Sequence, residues 1–313
     1  MKCAALTGIV RADSGRPKNL KTKIPDELKT DLPQTKWGKV LSATPVIMTV
    51  IATMLAGLSS SEMTRAQYDR SLAAQQQSKA GDQWSYFQAK KMRSALQHNT
   101  LDLLSATTRI QPLDSAKLPV PIDATVLAAL QKSSLPSIPA PAPLDAPVQT
   151  ALDAIEKQIP EQDISQLLAS VTPVSLETAL NEAKDRTVAF DAATRPVNLR
   201  IDELEKSVGG DPSVSDSFIV ARLRYNSARY DAEARMNQTI ANLLELQVRK
   251  NNLSAERHHR RSSKFFYGML AAQMAVIIAT FAIAAQKRNV LWSIAASAGL
   301  AAVLFAVYVF LKG

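Results

Sequence analysis

The chain ends in two apolar stretches, Phe265 to Ala285 and Val290 to Leu311, with only Gln286, Lys287, Arg288 and Asn289 between them. As helices rising 1.5 Å per residue, each is long enough to cross a hydrocarbon core of roughly 30 Å. The short polar break makes them a membrane hairpin. A third stretch, Val40 to Leu58, runs for 19 residues without a charge, with Lys36 and Lys39 before it and Glu62 and Arg65 after it. Three spans are therefore expected, and any function must be one that a membrane-anchored chain can perform.

The remaining sequence suits long helices better than a sheet core. It is rich in Ala, Gln, Ser, Lys and Asp, with aromatic residues at 5% and only 10 glycines in 313 residues. The expected fold is an all-α membrane protein with three transmembrane helices, a long coiled-coil-like extramembrane region and a proline-rich insert. The expected segments are a basic tail over 1–39, a first span over 40–58 and a long helix over 59–110. A proline-rich linker over 111–148 and short helices over 149–212 follow. A second long helix over 213–264 continues into the span at 265–285, and the last span covers 290–311. The charges at Arg11, Asp13, Arg16 and Lys18 do not suit a cleavable secretory signal, so 40–58 is expected to remain as an anchor. Cys3 is the only cysteine, which excludes an intrachain disulfide or a cysteine cluster on a metal.

The net charge of +9 raises the question of nucleic acid. Residues 1–39 alone carry nine Lys or Arg against four Asp or Glu, so the excess is concentrated beside membrane spans. No aromatic and basic residues interleave as a base-stacking platform would require. Anionic lipid is the expected partner and nucleic acid is not, with head-group contacts at Lys36, Lys39, Arg257, Arg260, Arg261, Lys264, Lys287 and Arg288. Lys36, Lys39, Lys287 and Arg288 favour a cytoplasmic N-terminus and a periplasmic 59–264. The cluster Arg257 to Lys264 argues for the reverse.

Between Val46 and Ile110 no proline interrupts strong helix formers. On this stretch Ser85, Ala89, Met92, Leu96, Asn99 and Leu103 alternate four and three apart, the seam of a coiled coil or helical hairpin. From Gln111 to Val148 lie eight of the 16 prolines, which predicts an extended connection with a short helix at Ala124 to Lys132. Leu152, Ile155 and Ile159, then Ile164, Leu167 and Leu168, mark helical faces on either side of Pro160. A further helix is expected from a cap at Ser175 to Arg195, where Pro196 ends or kinks it. Gly209, Gly210, Asp211 and Pro212 form a stop, with Ser213 and Ser215 as alternative caps for the next helix. Asp216 to Ala285 then reads as one helix about 105 Å long. Along it, Val220, Leu223, Ser227, Tyr230, Ala234, Asn237, Ala241, Leu244, Val248, Asn251 and Ala255 keep the same alternation.

Few residues suggest chemistry. His258 and His259 lie among arginines, and adjacent helical residues point about 100° apart, so they do not converge on a metal. They read either as a head-group collar or as a pH switch. Asp82, Gln83, Trp84 and Tyr86 read as a packing interface, with a ligand site as the alternative. The spans hold no Asp, Glu, Lys, Arg or His, so the marks of ion-coupled transport are missing. Gln273 and Thr280 share a face and are candidates for bonds between helices. With no nucleophile-base arrangement, nucleotide loop or zinc motif, no catalytic residue, metal or cofactor is expected, and the chain is not expected to be an enzyme.

The stretch Ser78 to Met92, SKAGDQWSYFQAKKM, follows a span and resembles the signature of a bacterial membrane-protein family known only as domain of unknown function 4337. The likeness rests on Asp82, Gln83, Trp84, Tyr86, Gln88, Ala89 and Lys90, and on a terminal hairpin whose basic loop precedes an aromatic, here Trp292. Tyr225 to Ala234 fits the polar helix before that hairpin. The likeness covers about 36–105 and 215–313. It implies a bacterial membrane protein and no assigned activity, and the inner membrane is the expected location. The expected function is a non-catalytic, self-associating scaffold in the membrane. Its interface candidates are Asp82, Gln83, Trp84, Tyr86, Met92, Leu96, Leu223, Tyr230, Leu244 and Val248. The alternatives are an accessory subunit of a larger membrane complex and a pore or transport component.

Overall fold

The computed structural model describes residues 36–107, 111–118, 121–138, 140, 143–208, 212–284 and 288–312. Among them are seven α-helices and no strand: α1 (Lys36–Thr107), α2 (Ala124–Lys132), α3 (Ala146–Glu156), α4 (Glu161–Ser170), α5 (Pro173–Ser207), α6 (Pro212–Ala284) and α7 (Arg288–Lys312). Helices α1, α6 and α7 each contain a stretch long and apolar enough to cross a membrane, which agrees with the all-α, multi-pass expectation. The tail before Lys36, the stop at Gly209, Gly210 and Asp211, and Lys287 lie outside the described residues, as do the side chains of Lys36 and Arg288. The chain divides into two compact units, one holding the segments up to Gly57 and from Phe265, the other Leu58–Lys264.

The span-bearing unit is arranged inside out relative to a water-soluble core. Ala272, Ala275, Ala279, Ala282, Ala295 and Ala302 are buried, while Val46, Met54, Leu270, Phe281, Leu300 and Leu304 point outward. In lipid, large apolar side chains lose nothing by facing the solvent, and helices gain by bringing small residues together. Gly268 illustrates the close approach: Leu55 Cδ1 lies 3.4 Å from where a methyl group would sit. Trp292 donates from Nε1 to Thr44 Oγ1 at 3.2 Å, tying the last span to the first. Gln273 and Thr280 do not bridge helices as expected. Both face outward, and the Thr280 hydroxyl donates back to Val276 O of its own helix at 2.8 Å. Pro45 lies inside α1, which begins at Lys36.

In the second unit α1 and α6 run antiparallel, held by two serine pairs. Ser59 donates to Ser262 O at 3.0 Å and Ser262 to Ser59 O at 2.8 Å. Ser94 and Ser227 repeat the arrangement, with hydroxyls 3.0 Å apart. The pairs stand 35 residues apart on each helix, or five heptads, so one register runs between them. Ala66, Ala73 and Ala80 of α1 and Ala234, Ala241 and Ala255 of α6 are buried along this row. A hydroxyl reaches the opposite backbone only because these side chains are small.

The row expected on α6 faces inward: Val220, Ser227, Ala234, Ala241, Leu244, Val248 and Ala255 are all buried. The seam expected on α1 does not. Met92, Leu96 and Leu103 are 67%, 56% and 65% exposed, and Ser85, Ala89 and Asn99 are exposed with them. The inward row of α1 is instead Ser59, Ala66, Ala73, Ala80, Phe87, Ser94 and Leu101, seven apart throughout. Its members are mostly small, so a search for large apolar residues finds the opposite face.

The other side of α6 is covered by α5, also antiparallel, and by the short helices. Leu176, Ala179 and Leu180 of α5 join Val148, Leu152, Ile164 and Leu168 against Ile240, Leu243 and Leu246 of α6 and Ala80 of α1. At the opposite end of α5, Val197, Ile201 and Leu204 pack with Phe218, Ala221 and Tyr225 of α6 and with Leu113, Val126 and Leu130 of the insert. The short helix expected within the insert is α2, and through it the insert packs onto its own chain. Asp123 caps α2 by accepting from Val126 N at 2.9 Å.

Three expected helix ends differ. The cap of helix α5 is Thr172, three residues before Ser175: its side chain accepts from Ser175 N at 3.0 Å, and Pro173 opens the first turn. The helix also continues through Pro196 to Ser207. An internal proline costs about 3 kcal/mol. Burial of Val197, Ile201 and Leu204 offsets that cost, and buried Thr194 donates to Phe190 O at 2.8 Å in the turn before. Helix α6 starts at Pro212, placing Ser213 and Ser215 inside its first turn rather than at the cap.

Lys250 of α6 closes the end of α4. Its ammonium donates to the carbonyls of Val171 and, at 3.3 Å, Leu168, where the helix dipole favours a cation. Burial, with Arg257 nearby, holds its pKa below the usual lysine value.

Candidate functional site

The side chains expected to carry function are distributed over two faces of α1. On the inner face Trp84 donates from Nε1 to Glu245 Oε1 of α6 at 2.7 Å and meets Phe87 edge-on, with centroids 5.4 Å apart. One turn on, Lys90 pairs with Glu233, and Lys91 donates to Asp231 at 3.0 Å. The Tyr230 ring has Arg229 4.6 Å, Lys90 5.4 Å and Arg93 5.8 Å from its centre. Trp84 and Tyr230 are thus engaged inside the chain, as are buried Leu244 and Val248, while Leu223 is half-buried. Gln83 is half-buried, its Oε1 buried without a hydrogen-bond partner.

Lys91 holds the Asp231 carboxyl below its ordinary value near 3.8, chiefly by donating to it, with Lys91 and Arg235 adding charge. A depressed carboxylate stabilises the folded chain above its unfolded pKa, and that contribution is lost as pH falls through the folded value. The pair is partly exposed, so its worth is about 0.2–1 kcal/mol. D231N is expected to unfold more readily than the parent at pH 6 and equally readily once the pH is well below 4. Thermal melts of both chains across that window check it.

The basic cluster before the second span also divides. His258 faces α1 rather than standing in a head-group collar, with Nδ1 2.5 Å from Glu62 Oε2 and Nε2 4.0 Å from Asp69 Oδ2. Both acids lie on the inner face of α1, which draws His258 inward. Arg257 and Arg260 are exposed, with Arg260 donating to Glu256 at 2.8 Å, and Arg261 and Lys264 are half-buried. Lys39 is exposed.

The outer face of α1 carries Asp82, Ser85, Tyr86, Ala89, Met92, Leu96, Asn99 and Leu103, all exposed. Tyr86 is 57% exposed. Here a heptad row of apolar residues lies on a helix whose opposite row is already filled by α6. Sequence reasoning missed Glu245 and the serine pairs. Their signal was present in Ser59 and Ser94, which stand five heptads apart and in phase with three alanines.

No curated protein and no solved structure matches the chain. Residues 37–119 match a family model described as Domain of unknown function (DUF4337). That stretch holds nearly all of α1, including both of its faces, and the first residues of the insert. Residues 215–313, which also carry the resemblance, lie outside it. The chain therefore carries a DUF4337 domain over residues 37–119, built mainly on helix α1.

Proposed function

We propose that the protein is a non-catalytic membrane scaffold that assembles with further copies of itself through the outer face of α1. The observation that carries this reading is the exposed heptad row from Ser85 to Leu103, on a helix whose inner row is complete. In an antiparallel pairing of two such rows, layers join Ser85 with Leu103, Ala89 with Asn99 and Met92 with Leu96. A small residue meets a larger one in the two outer layers, and two large apolar side chains meet in the central one. The same symmetry sets Gln88 opposite Asp102 at the rim. Arg93 would meet its own copy, and its attraction to the Tyr230 ring draws the charge away from the axis. Gln273 adds support, because an amide on the outward face of a span gains from a partner helix. Light scattering of the detergent-solubilised full chain at micromolar concentration tests the reading. A particle of two or more copies is expected, a monomer overturns it, and a stoichiometric foreign protein replaces self-assembly with an accessory role.

The scaffold is placed in the bacterial inner membrane, with the N-terminus cytoplasmic and 59–264 periplasmic. The support is the positive charge of Lys36, Lys39, Lys287 and Arg288 in short flanking segments. Alkaline phosphatase fused after Pro143 is expected to be active. An inactive fusion, with a fluorescent protein bright at the same site, reverses the orientation.

A further inference from the structure

A cleft of about 690 Å³ opens between α5, α6 and the insert, all within the second unit. Its walls are mainly apolar: Leu135, Ile138 and Leu144 from the insert side, Phe190 from α5, Met236 and Leu243 from α6. Arg186 of α5 and Arg235 of α6 also line it, with Glu182 one turn before Arg186. Arg235 has a partner in Asp231 at 3.6 Å. Arg186 has none: its Nη1 is buried and makes no hydrogen bond, and it forms no ion pair with any described residue.

A buried guanidinium N–H without an acceptor is costly, and native structures rarely leave one unless something else supplies the oxygen. Burial of such a group in an apolar cleft of ordinary ligand-binding size specifies the missing molecule: an anionic oxygen for the arginine and a hydrocarbon body for the walls. We infer that this cleft binds a small amphiphile, an acyl or alkyl chain ending in a carboxylate or phosphate, with the head group on Arg186 and the chain along Phe190, Met236 and Leu243. The planar guanidinium suits either head group because both present two oxygens to its fork. Arg235 adds positive charge at the edge of the cleft, and Glu182 sets a limit on how much negative charge the head group carries. The inference stands apart from self-assembly, since none of these residues belongs to the outer row of α1.

The test uses the full chain in nanodiscs of zwitterionic lipid and a fatty acid bearing a diazirine on its chain, with adducts mapped by mass spectrometry. Labelling is expected on the peptides holding Phe190, Met236 or Leu243. Dodecanoate or dodecyl phosphate should compete at least about tenfold better than dodecanol, the effect of roughly 1.4 kcal/mol for the head-group contact. Whichever anion competes better identifies the natural head group. R186Q is expected to lose labelling by about tenfold, R186K to retain most of it. A183W, which fills the cleft without touching the charge, should lose it with helix content by circular dichroism unchanged. Equal competition by the alcohol, undiminished labelling of R186Q, or adducts confined to the spans would each overturn the proposal.

Discussion

A chain with both Met92 and Leu96 replaced by aspartate is expected to scatter as a single copy under conditions where the parent is larger. Both side chains are exposed in one copy, so the exchange removes no contact within the chain and helix content should be unchanged. In the antiparallel pairing they share a layer, and the symmetry repeats it. Two copies then lose four buried apolar side chains, each worth about 1.5–3 kcal/mol, and set four carboxylates close together. Even half of that loss, about 3–6 kcal/mol, weakens association by at least about a hundredfold. V188D is the control, since Val188 is 68% exposed and lies on α5 rather than on the outer face of α1. If V188D dissociates the particle as well, the contact lies elsewhere. If M92D/L96D leaves the mass unchanged, the outer face of α1 is not the interface.

The second large effect is expected inside the chain. Phe218 is 1% exposed and sits where α5, α6 and the insert meet. Phe218→Ala removes most of that side chain and leaves a cavity which three elements must collapse to fill, a loss of about 3–5 kcal/mol. The insert contributes Leu113, Val126, Ala129 and Leu130 to the same cluster, with Leu118, Ile122 and Leu135 packed against it. Limited proteolysis is therefore expected to cut residues 111–145 much faster in the variant, and urea to unfold it at lower concentration. The serine pairs of α1 and α6 should outlast the insert, because they are separate from this cluster. Cleavage at the parental rate would show that the insert is held by other contacts.

The parts of the fold legible in advance were those with a local cause. Spans follow from uninterrupted apolar length, and α2 follows from the one stretch of the insert between Pro121 and Pro136 that lacks proline. The inward row of α6 was legible because it contains Val220, Leu244 and Val248 as well as small residues. The inner row of α1 was not, since serine and alanine carry little hydrophobic signal and Met92, Leu96 and Leu103 carry more. Pro196 was legible only in part: the local penalty is visible in the sequence, while the burial of Val197, Ile201 and Leu204 beyond it, where the helix continues, is not. His258 likewise read as one charge in a basic run until Glu62 and Asp69, nearly two hundred residues earlier, were placed beside it.

The amino-acid sequence by itself determined that this chain is helical, that three of its segments are long and apolar enough to span a membrane, and which residues along α6 form a repeating row. Those properties depend on composition and on spacing along one helix. Which face of α1 turns inward, whether the insert packs or stands clear, and that Arg186 is left with a buried, unpaired donor were decided only by tertiary structure. Each depends on how closely two helices approach, and that distance is set by the partner's side chains as much as by a helix's own.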